Sequence, residues 1–530
     1  MSYYSVKLPT ASGFDDVDTQ RSWWTVATCS IFMLLTLHML TQKHSAKLSA
    51  PTAGYRSIFE PSWLLRMRFF TQSRGIIEDG YQKLKKSTSS MFKIRRIDGD
   101  IFVISNAYLE ELRYLPEETL SATSAYAKNF YGRYTSIDAI HMSDHLSTQA
   151  LVHKLTPMLA QMLPIMKEEL DFAFKKEIPS CEGKWAEAKV YEIVLNCVSR
   201  VSARAFVGLK AGRDERWLAI SREFTEHFFT TAMILRGLPW LLHPVIVLLL
   251  PSYWRLHSNI KTAKQVISPI VRERRAAEAA GAPGYEKSQD LLQLMMDAPV
   301  AFDGSPEMLA HRQIFLSLAA IHTTSVVATN ALLDLCAHQE YIPRLRTEIQ
   351  NALAEDGGGW QKSIMAKLHL LDRCMKESLR RSPPTQLAFN RVVHQPIKLS
   401  SGITLPTSTH IAMPLVSLMH DPANVPGDPL AFDPFRFGDR SDETSRRVSK
   451  SFTQTDKTDL NFGYGKHACP GKYFANTEIK LILSNLLLEY DFKYPDGKTR
   501  PENTSVDEFL FPDPTTSLLI RRREESTGKK

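Results

Sequence analysis

The segment NFGYGKHACPG, residues 461–471, places one cysteine in a glycine-rich loop directly before a stretch with helical periodicity. Apolar residues recur through Lys472–Glu489, which predicts a helix there. A sulfur at the start of a helix lies near backbone N–H groups without intrahelical partners and near the positive end of the helix dipole. Both favour the thiolate form of Cys469, although a lone cysteine beside a glycine turn is usually a buried structural residue.

Fixed residues at fixed offsets distinguish this loop from an ordinary turn. The pattern Phe-x-x-Gly-x-x-x-Cys-x-Gly, formed by Phe462, Gly465, Cys469 and Gly471 and including Pro470, resembles the haem-binding signature of the cytochrome P-450 family. The resemblance implies haem b as cofactor, with the Cys469 thiolate as axial ligand of the iron and Phe462 in the binding loop. It also implies a mainly α fold with small β-sheets in a single haem-thiolate domain. A thiolate ligand favours cleavage of an O–O bond at the iron.

A second motif, MKESLR at residues 375–380, places Glu377 and Arg380 three positions apart on one face of a predicted helix. A solvent-exposed ion pair is the ordinary interpretation of this spacing. However, the order of Glu-x-x-Arg, the segment FDPFRF at 432–437 and the cysteine loop is also the order found in the family. By resemblance, Glu377, Arg380 and Arg436 form a buried charge network that holds the cysteine loop and supports haem incorporation.

A long apolar helix is predicted to begin at Ser305-Pro306, a cap residue followed by a proline. It contains the sequence AAIHTT at 319–324. The family pattern here is small-Gly-x-acid-Thr-Thr, so Thr323 matches the threonine that assists protonation during oxygen activation, while Ala320 replaces the glycine and His322 the acid. Thr323 could instead bond the preceding helical turn, and His322 is either a proton relay or a satisfied core histidine.

Haem propionates require positively charged or hydrogen-bonding partners. By resemblance, Arg391 and His467 are the candidates, although either could be a surface charge. The family's Trp-x-x-x-Arg motif is not evident. The corresponding segment, residues 149–157, offers only His153 and Lys154 as weak candidates.

Composition permits a large globular core. The chain has 530 residues, 43% hydrophobic and 23% charged, with a net charge of +8. This charge allows attraction to an anionic membrane or an acidic partner, but no basic motif with interleaved aromatics indicates nucleic-acid binding. The six cysteines form no CxxC pair, which disfavours a disulfide scaffold or a zinc site and suits reduced thiols facing the cytosol.

An uncharged stretch, residues 23–40, predicts an N-terminal transmembrane anchor, because it is near the lower length limit for a spanning helix. Acidic residues precede it and basic residues follow it, so residues 1–22 are expected in the lumen and the rest in the cytosol. Residues 41–61 would form a linker and residues 62–530 the catalytic domain. The acidic leader disfavours a cleaved signal peptide. We therefore expect a single-pass protein of the endoplasmic reticulum membrane.

A second apolar segment, residues 238–250, contains two prolines and is too short to span a membrane. It is either a surface patch that dips into the membrane beside the substrate entrance or a buried turn. Elsewhere, Asp98-Gly99 predicts a hairpin turn within residues 91–104, and a helix is predicted from about Ser363 to Arg381.

Segments at 54–66, 320–324, 462–471 and 495–498 resemble the fungal ent-kaurene oxidase-like, terpenoid-oxidising branch of the family. The resemblance implies a monooxygenase that oxidises a bulky apolar terpenoid (a diterpene, indole diterpene or meroterpenoid) in secondary metabolite biosynthesis. It would use O₂ and electrons from NADPH-cytochrome P-450 reductase. The candidate pocket residues are Phe228, Phe229, Leu316, Phe389 and Phe511, and the candidate docking cations are Lys466, Lys472, Arg446 and Arg447.

Two other functions remain open at this point. An oxygen-independent haem-thiolate isomerase or dehydratase would keep Cys469 but would not need a proton relay, so the two threonines weigh against it. A non-catalytic membrane haem protein would need neither feature.

Overall fold

The computed structural model describes residues 48–86, 90–138, 145–281, 284–298, 303–437 and 450–524. The predicted lumenal leader and anchor, together with Arg446 and Arg447, lie outside the described residues. Within the described residues, one helix, Pro306–Ala337, is long and apolar enough to cross a membrane. Since 67% of its most apolar window is buried inside the protein, it is a helix of the core.

Helices make up most of the described chain. In order they are α1 (Ser62–Lys86), α2 (Leu109–Leu112), α3 (Ala122–Asn129), α4 (Gly132–Thr135), α5 (Leu146–Gln149), α6 (Thr156–Glu177), α7 (Val190–Gly212), α8 (Glu215–Arg236), α9 (His243–Leu249), α10 (Pro251–Ala279), α11 (Leu291–Met296), α12 (Pro306–Ala337), α13 (Ile342–Glu355), α14 (Lys362–Lys367), α15 (His369–Arg381), α16 (Leu415–Met419) and α17 (Lys472–Glu489).

The strands form small sheets beside the helices. They are β1 (Met91–Arg96), β2 (Gly99–Ile104), β3 (Leu120–Ser121), β4 (Ala186–Lys189), β5 (Leu387–Val393), β6 (Ile397–Lys398), β7 (Thr404–Leu405), β8 (His410–Pro414), β9 (Tyr490–Lys493), β10 (Thr504–Val506), β11 (Phe509–Phe511) and β12 (Ser517–Arg522). The five-stranded sheet has the order β1-β2-β8-β5-β3, in which only β2 and β8 run parallel. The sheet β4-β12-β9 and the pairs β10-β11 and β6-β7 complete the set.

Helix α12 is the centre of the helical core and contacts α7, α8, α10, α15 and α17. Its start is the predicted one, because the Ser305 hydroxyl accepts from the Met308 N–H at 3.3 Å and Pro306 occupies the first turn. The helix α17 spans the predicted residues, and the β1-β2 hairpin turns at the predicted Asp98-Gly99. The expected mainly α fold with small sheets is confirmed.

One helix predicted as continuous is interrupted in the structure, so that prediction is wrong. The stretch expected as a single helix from about Ser363 to Arg381 is divided into α14 and α15 at Leu368, whose backbone angles are φ −77° and ψ 71°. The Leu368 side chain is fully buried, so packing overrides a sequence pattern that reads as continuous.

The second apolar segment lies at the surface. Its short helix α9, the turn before it and the first turn of α10 expose a group of large apolar side chains: Trp240, Leu241, Val245, Leu248, Leu249 and Trp254. Of the two alternatives for residues 238–250, the structure favours the surface patch. A second exposed apolar group lies near the start of α1 and consists of Ile58, Phe59, Trp63, Leu64 and Met67.

Candidate active site

The cysteine loop folds back on itself before α17 begins. Gly463 and Gly465 both have φ of 68°, a left-handed conformation that residues with side chains rarely adopt. A Cβ at Gly463 would lie 2.9 Å from the carbonyl oxygen of His467. This close turn lets the Cys469 N–H donate to the Phe462 carbonyl at 2.7 Å. The glycine spacing therefore fixes the position of the cysteine.

The Cys469 side chain is exposed, whereas the other described cysteines, Cys181, Cys197, Cys336 and Cys374, are buried. Desolvation nevertheless raises the pKa of the Cys469 thiol. The backbone N–H groups of Gly471 and Lys472 and the charge of Lys472 act in the opposite direction but do not outweigh burial. Because a bound metal ion deprotonates a coordinating thiol outright, bound haem iron would hold Cys469 as the expected thiolate.

The predicted charge network is present and buried. Arg380 donates from Nε and Nη2 to the two carboxylate oxygens of Glu377, each at 2.8 Å, and Arg436 Nε donates to Glu377 Oε1 at 3.1 Å. The three side chains are 2–3% exposed. The buried network is thus confirmed and the exposed pair excluded.

Helix α15 connects this network to the cysteine loop. Arg380 Nη1 donates to the Met419 carbonyl at 2.8 Å, and the Asn461 side-chain amide at the start of the loop lies 3.2 Å from Met419 Sδ. One residue before Glu377, the buried Lys376 pairs with Asp459 at 2.6 Å. Sequence reasoning missed this second connection, because a lysine in a helix is ordinarily exposed.

The central helix α12 presents one accessible stripe. Ala319 and Thr323 are exposed and Ala320 is half-buried, although the surrounding residues of this helix are largely buried. The Thr323 hydroxyl donates to the Ala319 carbonyl at 2.7 Å, as the alternative interpretation of this residue expects. Because its side chain also remains accessible, Thr323 can reach a ligand that lies against this stripe.

His322 makes contacts with two other helices. Its Nε2 lies 3.1 Å from the Arg222 carbonyl and its Nδ1 lies 3.3 Å from the Tyr191 hydroxyl. Burial lowers the pKa of His322, so it is neutral near pH 7, and these partners assign the proton to Nε2. Both ring nitrogens are thereby satisfied, which favours the core-histidine alternative over the proton relay.

Of the two candidate propionate-binding residues, His467 is two positions before Cys469 and Arg391 lies within electrostatic range of His467. Arg391 is 7% exposed and has no carboxylate within 4.0 Å among the described residues, and burial lowers its pKa. His467 Nε2 lies 3.1 Å from Glu117 Oε1. Desolvation and the positive charge of Arg391 lower the pKa of His467 to about 4. His467 therefore offers a neutral ring rather than a cation at pH 7.

Tyr126 is a further member of this region that sequence reasoning missed. Half of its surface is exposed, yet desolvation raises its pKa, and it lies within electrostatic range of Arg391 and Cys469. No sequence signal identified it. The weak candidates His153 and Lys154 are both exposed on a π-helical turn between α5 and α6.

The candidate pocket residues divide into core and accessible positions. Phe228 is fully buried among Phe224 and Phe315, as a plain core residue would be. Phe229 and Leu316 are half-buried, Phe511 is 36% exposed, and Phe389 is 8% exposed. Phe462 is half-buried and contacts Phe452 edge-on at 5.3 Å.

This combination of a mainly helical fold, a clamped cysteine loop and an accessible stripe on a central helix defines a haem-thiolate protein. The cytochrome P450 family model matches residues 59–520, and the chain belongs to that family. It is a monooxygenase of this family, as its relatives are.

Cytochrome P450 monooxygenase AN1598 of Emericella nidulans is 46% identical over 480 residues, which cover 91% of this chain and 89% of the relative. The ent-kaurene oxidase of Gibberella intermedia is 38% identical over 490 residues, covering 92% and 90%. Cytochrome P450 monooxygenase paxP of Penicillium paxilli is 37% identical over 508 residues, covering 94% and 95%. Retinoic acid-bound cyanobacterial CYP120A1 has the same fold, with a TM-score of 0.64 and 20% identity, covering 90% of this chain and all of that one.

The residues present fit the haem that the family and fold imply, with Cys469 as its axial thiolate. Three features fit it: an exposed cysteine thiol, a buried arginine without a carboxylate partner among the described residues, and small residues on α12 that leave room for a flat ring. Bound haem would supply oxygen activation at its iron. The roles of Arg391, His467 and Phe462 in holding it remain predictions.

Proposed function

We propose that this protein is a membrane-anchored enzyme that oxidises a bulky, largely apolar terpenoid in fungal secondary metabolite biosynthesis. The substrate class is a diterpene, indole diterpene or meroterpenoid. Relatives named ent-kaurene oxidase support it, because ent-kaurene is a diterpene hydrocarbon. Half-buried aromatic and aliphatic side chains such as Phe229 and Leu316 would suit the same kind of molecule.

The observation that carries the proposed chemistry is the accessible side chain of Thr323 on a largely buried helix. In this role Thr323 would hold and pass a proton at its hydroxyl, while the small Ala319 and Ala320 would allow close approach of the cofactor ring. His322 holds α12 against its neighbours through Tyr191 and the Arg222 carbonyl. The proton would then come from water at Thr323 rather than from His322.

Electrons would come from NADPH through a separate reductase. Lys466 and Lys472 flank the cysteine in sequence, and Lys466 is exposed. Lys466 also donates to the Leu115 carbonyl at 2.6 Å, so part of its hydrogen-bonding capacity is already used within the protein. A basic surface here would favour an acidic reductase face chiefly by speeding encounter.

The proposed location is the endoplasmic reticulum membrane, with a single anchor at residues 23–40 and the catalytic domain in the cytosol. The exposed apolar residues of the α9 region would rest in the lipid interface, where tryptophan is favoured. Quenching of tryptophan fluorescence by brominated lipids in nanodiscs tests this contact. Trp240→Phe should remove part of the quenched signal, whereas Trp217→Phe, at a fully buried position, should not.

The test of the reaction uses the full-length protein with a reductase. The reduced, carbon-monoxide-bound form should show the red-shifted Soret band of a haem thiolate, and Cys469→Ala should lose both the band and product formation. NADPH-dependent oxygen consumption should rise on addition of the terpenoid ent-kaurene or a panel of related polycyclic terpenoids. Turnover without oxygen or reductase would instead support an isomerase or dehydratase.

A further inference from the structure

Five charged side chains are buried together at the side of the fold where β1 and β2 meet. Arg96 ends β1, Asp98 lies in the β1-β2 turn, Arg236 ends α8, and Asp507 and Glu508 form the turn between β10 and β11. Their side chains are at most 9% exposed. We call these five residues the buried charge cluster.

Arg96 and Arg236 both donate hydrogen bonds to Asn129. Arg96 binds Asp98 at 2.6 and 2.9 Å, and Arg236 Nη1 binds Asp507 Oδ2 at 2.6 Å. Arg96 Nη2 also donates to the side-chain oxygen of Asn129, and Arg236 Nη2 to its carbonyl, each at 2.7 Å. The cluster therefore joins the ends of α3 and α8 to the β10-β11 turn.

The positive and negative charges within the cluster nearly cancel. Desolvation raises the pKa of Glu508, whereas Arg96 and Arg236 hold the pKa of Asp98 below its usual range. Two arginines thus face the carboxylates of Asp98 and Asp507, and Glu508 tends to keep its proton. Because burying such charges gains little stability over apolar residues, a positional role explains them better.

Each joined element carries a phenylalanine, and the three rings meet. Phe130 follows Asn129, Phe509 follows Glu508, and Phe229 lies two helical turns before Arg236 on α8. Their ring centroids are 5.5 Å apart for Phe130 and Phe229, 5.3 Å for Phe229 and Phe509, and 6.3 Å for Phe130 and Phe509. All three are only half-buried. We call them the aromatic triad.

The triad lies on the side of the fold that holds the cysteine. Phe130 stacks on Tyr126 with a centroid distance of 6.4 Å and an interplanar angle of 14°. Tyr126 in turn lies within electrostatic range of Cys469 and Arg391. The accessible surface of the triad is therefore connected to the candidate active site through one ring.

We propose that the buried charge cluster is a positioning device that holds the aromatic triad as a fixed wall of the substrate cavity, and so determines how a bulky ligand is oriented. Arg236 and Asp507 are positioning residues, and Phe130, Phe229 and Phe509 determine specificity. The proposal rests on the proposed function in that this cavity is the one that receives the terpenoid. No bond is formed or broken by the cluster itself.

The test compares two ligands that bind haem iron through the same imidazole nitrogen, the small 1-phenylimidazole and the bulky clotrimazole. Full-length protein is titrated with each by following the Soret shift. For Arg236→Gln and Asp507→Asn, the ratio of the clotrimazole Kd to the 1-phenylimidazole Kd should rise at least about tenfold, because only the bulky ligand reaches the wall. Phe229→Ala and Phe509→Ala should raise the ratio as well.

The matched control is Arg274→Gln. Arg274 binds Asp290 at 2.6 and 2.8 Å, also with a buried carboxylate, but neither residue lies on an element that carries the triad. The ratio should stay within about twofold for this variant, and the carbon-monoxide spectrum should show equal haem loading.

Three outcomes would overturn the proposal. The first is an unchanged ratio in Arg236→Gln and Asp507→Asn, and the second is an unchanged ratio in both phenylalanine variants. The third is loss of haem loading in both cluster variants but not in Arg274→Gln, which would make the cluster a folding element only. Absence of terpenoid turnover would defeat the proposed function alone, because the ligand ratio does not depend on it.

Discussion

Arg380 contacts both carboxylate oxygens of Glu377, each at 2.8 Å, in a site where neither side chain is more than 3% exposed. The same carboxylate accepts from Arg436 and from the Asp433 N–H. A buried charge with this many partners is costly to leave unpaired. The pair therefore ties the position of α15 to the segment that contains Asp433 and Arg436.

Replacing Glu377 by Gln should destabilise the protein by about 3–5 kcal/mol, because Arg380 and Arg436 would remain buried without a carboxylate. Thermal unfolding and the yield of the haem-thiolate spectrum measure this. Lys210→Gln is the control, since Lys210 pairs with Glu273 at the surface and should change stability by less than ~1 kcal/mol. Equal effects of the two variants would contradict a structural role for the network.

Replacing Thr323 by Val should reduce the product formed per NADPH consumed, because the accessible hydroxyl is removed while the shape is kept. Proton transfer by a positioned group contributes about 10²-fold or more, so we expect a loss of product of that order. The control is Thr347→Val, whose exposed hydroxyl bonds the Pro343 carbonyl at 3.1 Å on α13. If Thr323→Val forms as much product per NADPH consumed as the wild type, the Thr323 hydroxyl serves only to bond the preceding helical turn.

Arg391→Gln should weaken haem retention, because the buried guanidinium has no carboxylate partner among the described residues, and its bond from Nη1 to the Asn390 carbonyl at 2.8 Å leaves donors for a propionate. Loss of a charge-assisted hydrogen bond should speed haem transfer to apomyoglobin at least about tenfold. Arg521→Gln is the matched control. Both arginines stack on an aromatic ring, Arg391 on Phe389 at 4.3 Å and Arg521 on Trp185 at 4.7 Å, but Arg521 is exposed. Equal transfer rates for the two variants would remove Arg391 from the haem site.

The buried carboxyl group of Glu478 makes the free energy of unfolding depend on pH. It is fully buried on α17 and accepts from Ser202 at 2.7 Å, and burial raises its pKa to about 8. An unfolded glutamate has a pKa near 4.5. The folded protein therefore holds the Glu478 proton more tightly than the unfolded chain does. The contribution of this difference to the free energy of unfolding is fully present below pH 4.5 and is lost as the pH rises toward 8.

Glu478→Gln should remove this loss, since glutamine stays neutral and can still accept from Ser202. The variant should be more stable than the wild type by up to ~3 kcal/mol at pH 7, with the difference shrinking toward pH 4.5. Chemical denaturation across this pH range measures it. A difference that does not vary with pH would show that Glu478 does not titrate as its burial implies.

The sequence alone predicted the loop of Cys469, the helix behind it and the Glu377–Arg380 spacing, because each depends on local chemistry: glycine conformation, helical period and cap residues. It could not predict that α14 and α15 separate at Leu368, because burial of that side chain is a tertiary effect. It also left open whether residues 238–250 are buried, which depends on what packs against them.

The tertiary structure alone decided which groups share an environment. It satisfied both nitrogens of His322, placed Tyr126 within electrostatic range of Arg391, and joined Arg236 to Asp507 across 271 residues of chain. It also added desolvation at Cys469, which raises the pKa of the thiol against the lowering effect of the amide groups that the sequence places around the sulfur. Local sequence determined where the thiol is held; the packing around it determined its electrostatic environment.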